Sequence, residues 1–310
     1  MDRAIVGIII AAYNAEETLA RALDSVLEQT CESWQAVVVD DGSTDRTFEV
    51  ASSYAVSDSR VTVVSQENKG EAAARNAALP LLSTEWVVYL DSDDSFAPNH
   101  LQRQLEFAGE NLGFDVYACN GNMIVSDGSR TLFSDIAEPV EITFESLLLK
   151  FVIMGGGSLL PLKVLREYDG FNEEAYTPDF DLWLRMLVDD KRIIMNPEVL
   201  YNYYVGHASN KTSSTEKTIL ASIMVLDDIM HTKSLSVKQI AIVRQAIEKR
   251  YETIERYREH LRMLAQREAI LVRIEALFGK RIANILIRFG RRWSRYLMPL
   301  RKAMIRVAGR

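Results

Sequence analysis

The chain has 310 residues, of which 48% are hydrophobic and 25% charged, enough to bury a full core in one large domain with an accessory part. Cys31 and Cys119 lie too far apart for a metal or redox motif and point to a reducing compartment. No N-terminal leader is read, and no apolar run approaches the roughly 20 residues that span a bilayer. The formal net charge of −7 is uneven. Residues 279–310 carry ten Lys or Arg and no acid, leaving 26 basic and 43 acidic side chains in the rest. An acidic body with a basic tail suggests an anionic partner for the tail, and no nucleic-acid module accompanies that charge.

Taken in order, Ala4–Ala12 is a continuous apolar run, as expected of a strand covered on both faces. Asn14, with Glu17 three residues on, is placed to cap a helix whose apolar positions are Leu19, Leu23, Val26 and Leu27. Trp34–Val39 is a second buried strand, closed by Asp40-Asp41-Gly42-Ser43-Thr44. Ser43 and Thr44 are candidates to cap the helix that carries Phe48, Val50 and Ala51. Arg60–Val64 is a third strand and leads into the polar loop Gln66–Gly70. An alanine-rich helix over Glu71–Leu79 stops at Pro80. The strand Trp86–Leu90 then ends in Asp91, Ser92, Asp93 and Asp94. Three carboxylates in four residues repel one another and suit a divalent cation with oxygen ligands.

Strands alternating with helices predict a mostly parallel sheet, whose ligands sit beyond the carboxyl ends of the strands. That geometry gathers Tyr13, Asp40/Asp41, Asn68–Gly70 and Asp91–Asp94 at one edge. No G-x-G-x-x-G follows the first strand and no G-x-x-x-x-G-K-[ST] occurs, so neither a dinucleotide fingerprint nor a P-loop is present.

Residues 4–100 resemble the donor-binding half of a family 2 glycosyltransferase with the GT-A fold. The resemblance rests on IIIAAYNAEETLARALDSVLEQT, VVVDDGSTDRT, ENKGEAAARNAAL and VVYLDSDD, in that order and at these distances. It extends patchily to about residue 212. Tyr168–Glu173 is similar to the family's Gly-Phe-Asp/Asn-Glu turn, and Pro178–Arg185 to its Glu-Asp-x-Asp-Leu-Trp-x-Arg helix start. Pro178 replaces the usual Glu, which suits a helix start but removes an acidic neighbour.

The fold this implies is α/β, Rossmann-like, with a mostly parallel central sheet flanked by helices and a C-terminal helical extension. Residues 1–212 would form the catalytic domain, with a donor half over 1–100 and an acceptor half over 101–212. Residues 213–310 would form the extension. The implied activity is metal-dependent inverting sugar transfer from a nucleotide sugar to a glycan or lipid-linked acceptor, in cell-surface polysaccharide synthesis. A non-catalytic scaffold and a sugar-1-phosphate nucleotidyltransferase are the alternatives.

For the site, the resemblance implies Asp179 as the base that takes the acceptor's proton; by itself it would read as an ordinary acid in a helix's first turn. Asp93 is expected to bind Mn²⁺ or Mg²⁺, with Asp91 nearer the ribose, and the sequence does not separate Asp93 from Asp94. His207 is a second candidate ligand, with a structural role as its alternative. Ala11, Tyr13, Asp40, Asp41, Lys69, Gly70, Asp91 and Asp94 are assigned to the donor nucleotide. A carboxylate that accepts from a pyrimidine N3–H favours UDP or dTDP over GDP. Asp181 is read as an orienting or structural carboxylate that pairs with Arg185. Met154–Ser158 is either a close approach of backbone to a sugar or a simple bend.

Beyond about Thr212 the pattern is that of long amphipathic helix. Ile240, Ile247, Ile254 and Leu261 form one row, and Val243, Tyr257, Leu264 and Leu271 a second. Arg250 and Glu268 interrupt them, so packing on the body or a second copy is preferred to a strict coiled coil. Residues 280–298 mix basic with aromatic and aliphatic side chains, which suits an anionic membrane surface, with docking on the acidic body as the alternative. The expected location is cytoplasmic, peripheral at the inner face of the plasma membrane.

Overall fold

Strand β1 (Val6–Ala12) sends Val6, Ile8 and Ile10 into one apolar cluster and Ile9 into another. Its neighbour β2 (Trp34–Asp40) divides Ala36 and Val38 from Val37 and Val39 in the same way. Both faces are therefore covered, which is why these strands read as unbroken apolar runs. The computed structural model describes residues 4–125, 127–150, 155–205 and 215–278. The chain divides into two units, Met1–Arg250 and Tyr251–Arg310.

In the first unit β1, β2, β3 (Val61–Ser65) and β4 (Trp86–Tyr89) are parallel, in the order β3-β2-β1-β4, and the short antiparallel β9 (Leu160–Pro161) closes the edge. The connections step one way from β1 to β3 and the other way to β4. This reversal opens a crevice at the carboxyl ends of β1 and β4, where such sheets bind ligands. Helices α1 (Leu19–Leu27) and α2 (Thr47–Ser57) contribute to one cluster, and α3 (Glu71–Ala78) to the other.

A second sheet runs β5 (Ser95–Phe96), β10 (Ile193–Val205), β6 (Val116–Val125), β7 (Arg130–Leu132), with β8 (Val140–Ile142) also paired to β10. Strands β6 and β7 pair antiparallel as a hairpin. Strand β10 meets β5 through Tyr201 opposite Phe96 and Asn202 opposite Ser95. That pairing brings the end of β10 against the acidic turn that follows β4. Helices α4 (His100–Glu110), α5 (Phe144–Leu149), α6 (Leu162–Glu167) and α7 (Pro178–Val188) complete the layers.

Two expected caps are corrected. Helix α1 starts at Leu19, with Thr18 ahead of it. Asn14 adopts a left-handed φ of 48° and accepts from Thr44 N at 2.9 Å, while its own N donates to Ser43 Oγ at 3.0 Å. Asn tolerates that conformation. Helix α2 starts at Thr47, whose N donates to Asp45 Oδ1 at 3.0 Å. Asn14, Ser43 and Thr44 thus tie the loops after β1 and β2 to each other, because parallel strand ends lie closer together than either lies to its helix.

Helices α8 (Thr215–Thr232) and the start of α9 (Val237–Phe278) belong to the first unit. Val243 and Ala246 are fully buried. Arg250 breaks the apolar row because its position is a polar anchor. Its Nε donates to Ser222 Oγ at 2.9 Å and its Nη1 to Leu148 O at 3.3 Å. The second unit is helical over Tyr251–Phe278. The side chains of Leu261, Leu264 and Leu271, and residues 280–298, lie outside the described residues. No helix among the described residues is long and apolar enough to cross a membrane.

Candidate active site

A cavity of about 710 Å³ lies at the carboxyl ends of β1, β2 and β4. Ala11, Tyr13, Asp41, Gly70, Asp91, Asp93, Asp94 and Asp179 line it, so most of the residues singled out in the sequence meet there. Helix α7 supplies Asp179 from far along the chain, with Thr177 ahead of its first turn and Pro178 at a position where no N–H is needed.

The three carboxylates of the acidic turn have different surroundings. Asp94 is fully buried; its Oδ2 accepts from Tyr201 Oη at 2.8 Å and its Oδ1 from Tyr204 N at 2.9 Å. Each oxygen accepts one hydrogen bond from β10, so Asp94 anchors the turn to that strand. Burial, with the charges of Asp91 and Asp93, holds its carboxyl well above the ordinary value. Asp91 Oδ1 accepts from Arg75 Nη2 at 2.6 Å. Asp93 accepts no hydrogen bond from another described side chain. Burial, with the charge of Asp91, pushes its pKa up to about 6. This is a carboxylate short of a cation.

Arg75 also belongs to this site. Its helix reads as a solvated alanine-rich segment, yet the side chain is 2% exposed. It pairs with Glu71 and Asp91, and its guanidinium lies 4.2 Å from the centre of the Tyr89 ring. Burial disfavours its charge, but the carboxylates of Glu71 and Asp91 more than restore it. The i,i+4 spacing of Glu71 and Arg75 was the only local signal.

On the nucleotide side, Asp41 Oδ1 accepts from Gln66 Nε2 at 2.7 Å and Lys69 N at 2.9 Å, and its Oδ2 from Gly70 N at 2.8 Å. It fixes the loop before α3 and uses three of the roughly four acceptor positions of a carboxylate. Asp40 is placed differently. Its oxygens accept from Ser43 N at 3.3 Å and Ser65 Oγ at 3.0 Å, and it is not among the lining residues. Lys69 is also absent from the lining and enters through its backbone. Gly70, at φ 94°, needs a conformation that a side chain would strain. Tyr13, half-exposed, stands at the mouth.

Asp179 Oδ1 accepts from Phe180 N at 2.9 Å. Burial raises the pKa of its carboxyl, and Arg75 partly counters that. Asp181 turns away into the fold, where its Oδ2 accepts from Arg185 Nε at 2.8 Å. Arg185 in turn donates to the carbonyls of Tyr168 and Gly170, each at 3.2 Å. The opposite wall carries Met123, Phe133, Tyr176, Tyr203 and Val205. His207 lies outside the described residues. Among the described residues no three His, Cys, Asp or Glu are grouped to hold a metal. Asp93 lines the cavity with Arg21 only partly offsetting its charge, and a cation there would need oxygens from a bound phosphate and water, a usual arrangement for Mg²⁺.

The architecture is that of the GT-A glycosyltransferases. S. aureus TarS in complex with UDP-GlcNAc superposes with a TM-score of 0.65 at 20% identity, over 80% of this chain and 73% of that one. The mannosyltransferase PcManGT from Pyrobaculum calidifontis, in complex with GDP-Man and Mn²⁺, superposes with a TM-score of 0.59 at 16% identity, over 94% and 88%. At those identities the likeness is one of fold.

Sequence relationships are closer. Residues 7–152 match Glycosyl transferase family 2, and residues 86–220 match Glycosyl transferase family group 2. The UDP-Glc:alpha-D-GlcNAc-diphosphoundecaprenol beta-1,3-glucosyltransferase WfgD of Escherichia coli is 32% identical over 74% of this chain and 88% of its own. The putative teichuronic acid biosynthesis glycosyltransferase TuaG of Bacillus subtilis is 30% identical over 69% and 85%. The putative glycosyltransferase EpsH of the same organism is 33% identical over 44% of this chain and 40% of its own. The chain belongs to glycosyl transferase family 2, which places it among glycosyltransferases and apart from nucleotidyltransferases.

Proposed function

We propose that residues 1–212 transfer a sugar, with inversion, from UDP- or dTDP-sugar to a glycan or lipid-linked acceptor during cell-surface polysaccharide synthesis, using Mn²⁺ or Mg²⁺. The observation that carries this is the convergence in one cavity of a cation-deficient carboxylate, Asp93, and a half-buried carboxylate, Asp179, from the far side.

Asp93 would hold the cation; His207, the second candidate ligand, lies outside the described residues. When bound, the cation supplies charge neutralisation for the departing diphosphate. Asp91, fixed by Arg75, faces the ribose. Asp41 keeps one acceptor position for a pyrimidine N3–H, and Tyr13 and Ala11 flank the base. Asp179 accepts the acceptor hydroxyl's proton as that oxygen bonds to the anomeric carbon and the bond to the diphosphate oxygen breaks. The aromatic and apolar wall suits the face of a sugar ring. Asp181 keeps α7 and the turn before it in place. The name of WfgD supports a UDP donor and a lipid-linked acceptor, and that of TuaG the pathway class.

The test is a panel of nucleotide sugars with Mn²⁺, following nucleoside diphosphate release. Release with a UDP- or dTDP-sugar, lost in both Asp93→Ala and Asp179→Asn, is expected. Undiminished release by both variants would reject the site.

Residues 213–310 are proposed to be a helical extension whose stretch 280–298 binds anionic membrane at the inner face, the helices also serving to pair copies of the chain. The charge pattern of 279–310 motivates this. Removal of 280–310 should abolish binding to anionic vesicles and spare binding of UDP. Unchanged vesicle binding would reject it.

A further inference from the structure

The triglycine Gly155-Gly156-Gly157 runs between the two halves of the site. An added Cβ at Gly155 would stand 2.1 Å from Asp179 Oδ2 and 2.6 Å from Tyr89 Oη. One at Gly156 would stand 2.2 Å from Tyr201 Oη, the hydroxyl that donates to Asp94. Neither glycine has a positive φ, so what both positions require is space and not a special backbone conformation. Gly157 differs: at φ 81° it pins the segment, donating from its N to Tyr89 O at 2.9 Å and accepting from Gln104 Nε2 at 3.2 Å. With that end fixed to the strand that leads into Asp91, a new methyl group must displace the side chains it meets.

We propose that Gly155 and Gly156 are positioning residues, a bare backbone spacer that sets Asp179 on one side and the Tyr201–Asp94 anchor of the acidic turn on the other. This rests on the reading of Asp179 as base and of the acidic turn as the seat of the diphosphate and its cation. The two glycines therefore govern different steps. Displacing Asp179, whose Oδ2 is the atom nearest the added methyl, spoils proton transfer more than it disturbs donor binding. Displacing Tyr201, a ring 1% exposed, shifts the turn and weakens donor and cation binding.

The experiment compares Gly155→Ala, Gly156→Ala, Tyr201→Phe and Asp179→Ala in the full chain. UDP binding with Mn²⁺ is measured by calorimetry, together with kcat and melting temperature. Gly155→Ala should lower kcat about 100-fold, the order expected for a misplacement near 1 Å. Its Kd for UDP should stay within about twofold of wild type. Gly156→Ala and Tyr201→Phe should each weaken UDP–Mn²⁺ binding about 10-fold, as loss of a ligand's supporting contact does. Any drop in melting temperature caused by Gly155→Ala should shrink when Asp179→Ala removes the carboxylate the methyl would meet.

Wild-type turnover in Gly155→Ala, equal losses of binding and turnover in both glycine variants, or an undiminished thermal cost beside Asp179→Ala each overturn the proposal. Full turnover by Asp179→Ala, or no nucleoside diphosphate binding by the wild type, would instead reject the underlying reading of the site.

Discussion

Arg75 Nη2 donates to Asp91 Oδ1 at 2.6 Å while the same guanidinium pairs with Glu71. One buried cation thus gathers two carboxylates, and Asp179 is close enough to feel its charge. Arg75→Ala would leave those acids facing one another. Breaking a buried pair costs about 3–5 kcal/mol. With Asp91 and Glu71 side chains 35% and 29% exposed, solvent screening reduces that to about 2–3 kcal/mol. Urea unfolding should show this loss. Arg75→Lys should recover part of the stability and little of the turnover, because an ammonium keeps the charge without the fork.

Asp179→Asn keeps the shape of the side chain and removes its basicity. We expect kcat to fall about 10²- to 10⁴-fold, with UDP affinity in Mn²⁺ unchanged. Parallel calorimetry and rate measurements check it; a fall in affinity that matches the fall in rate would move Asp179 to donor binding.

The acid limb of kcat/KM should lie above the usual carboxylate range, because burial raises Asp179 and the base works only when ionised. Arg75 lowers that pKa, so Arg75→Gln should move the limb to higher pH. Normalised pH–rate profiles of the two proteins decide this. A limb that stays still or moves down would contradict the electrostatic role of Arg75.

Asp93 carries a stability signature of its own. Its folded pKa of about 6 exceeds the ordinary 3.8, so between those values the folded chain keeps a proton the unfolded chain has lost. The group's contribution is therefore most favourable at low pH and is lost as pH rises through about 6. In EDTA, Asp93→Asn should stabilise the protein by roughly 1–2 kcal/mol at pH 8, with the difference vanishing near pH 4. Denaturant midpoints across that range provide the check.

Asp181, only two residues from Asp179, should behave differently. Asp181→Ala leaves Arg185 without its carboxylate and loosens its hold on the Tyr168 and Gly170 carbonyls. A stability loss of about 2–3 kcal/mol is expected, with kcat of the folded fraction within about threefold of wild type. A large fall in kcat at unchanged stability would give Asp181 a chemical role.

The parallel strands were legible because a strand buried on both faces must be apolar throughout. The polar loops at their ends were legible because such sheets gather ligands at one edge. Asp41, Tyr13, Asp91 and Asp93 come together for that reason. Asp40 also ends a strand, but its side chain serves Ser43 and Ser65 instead of the cavity. The burial of Arg75 was not legible, because an arginine among alanines is equally compatible with a solvated face until the element packed on that face is known.

Sequence by itself determined the sheet, its binding edge, and the family to which the order of the four motifs belongs. Each of these is written in local periodicity and short-range spacing. Only the tertiary structure separated Asp93 from Asp94. Adjacent in the chain and identical in chemistry, they differ because Tyr201 and Tyr204, more than a hundred residues on, each donate to an oxygen of Asp94, while Asp93 accepts from no other described side chain. Gly155 and Gly156, between that anchor and Asp179, are of the same kind: their proposed meaning lies in the side chains they must not touch, and those arrive only when the chain folds.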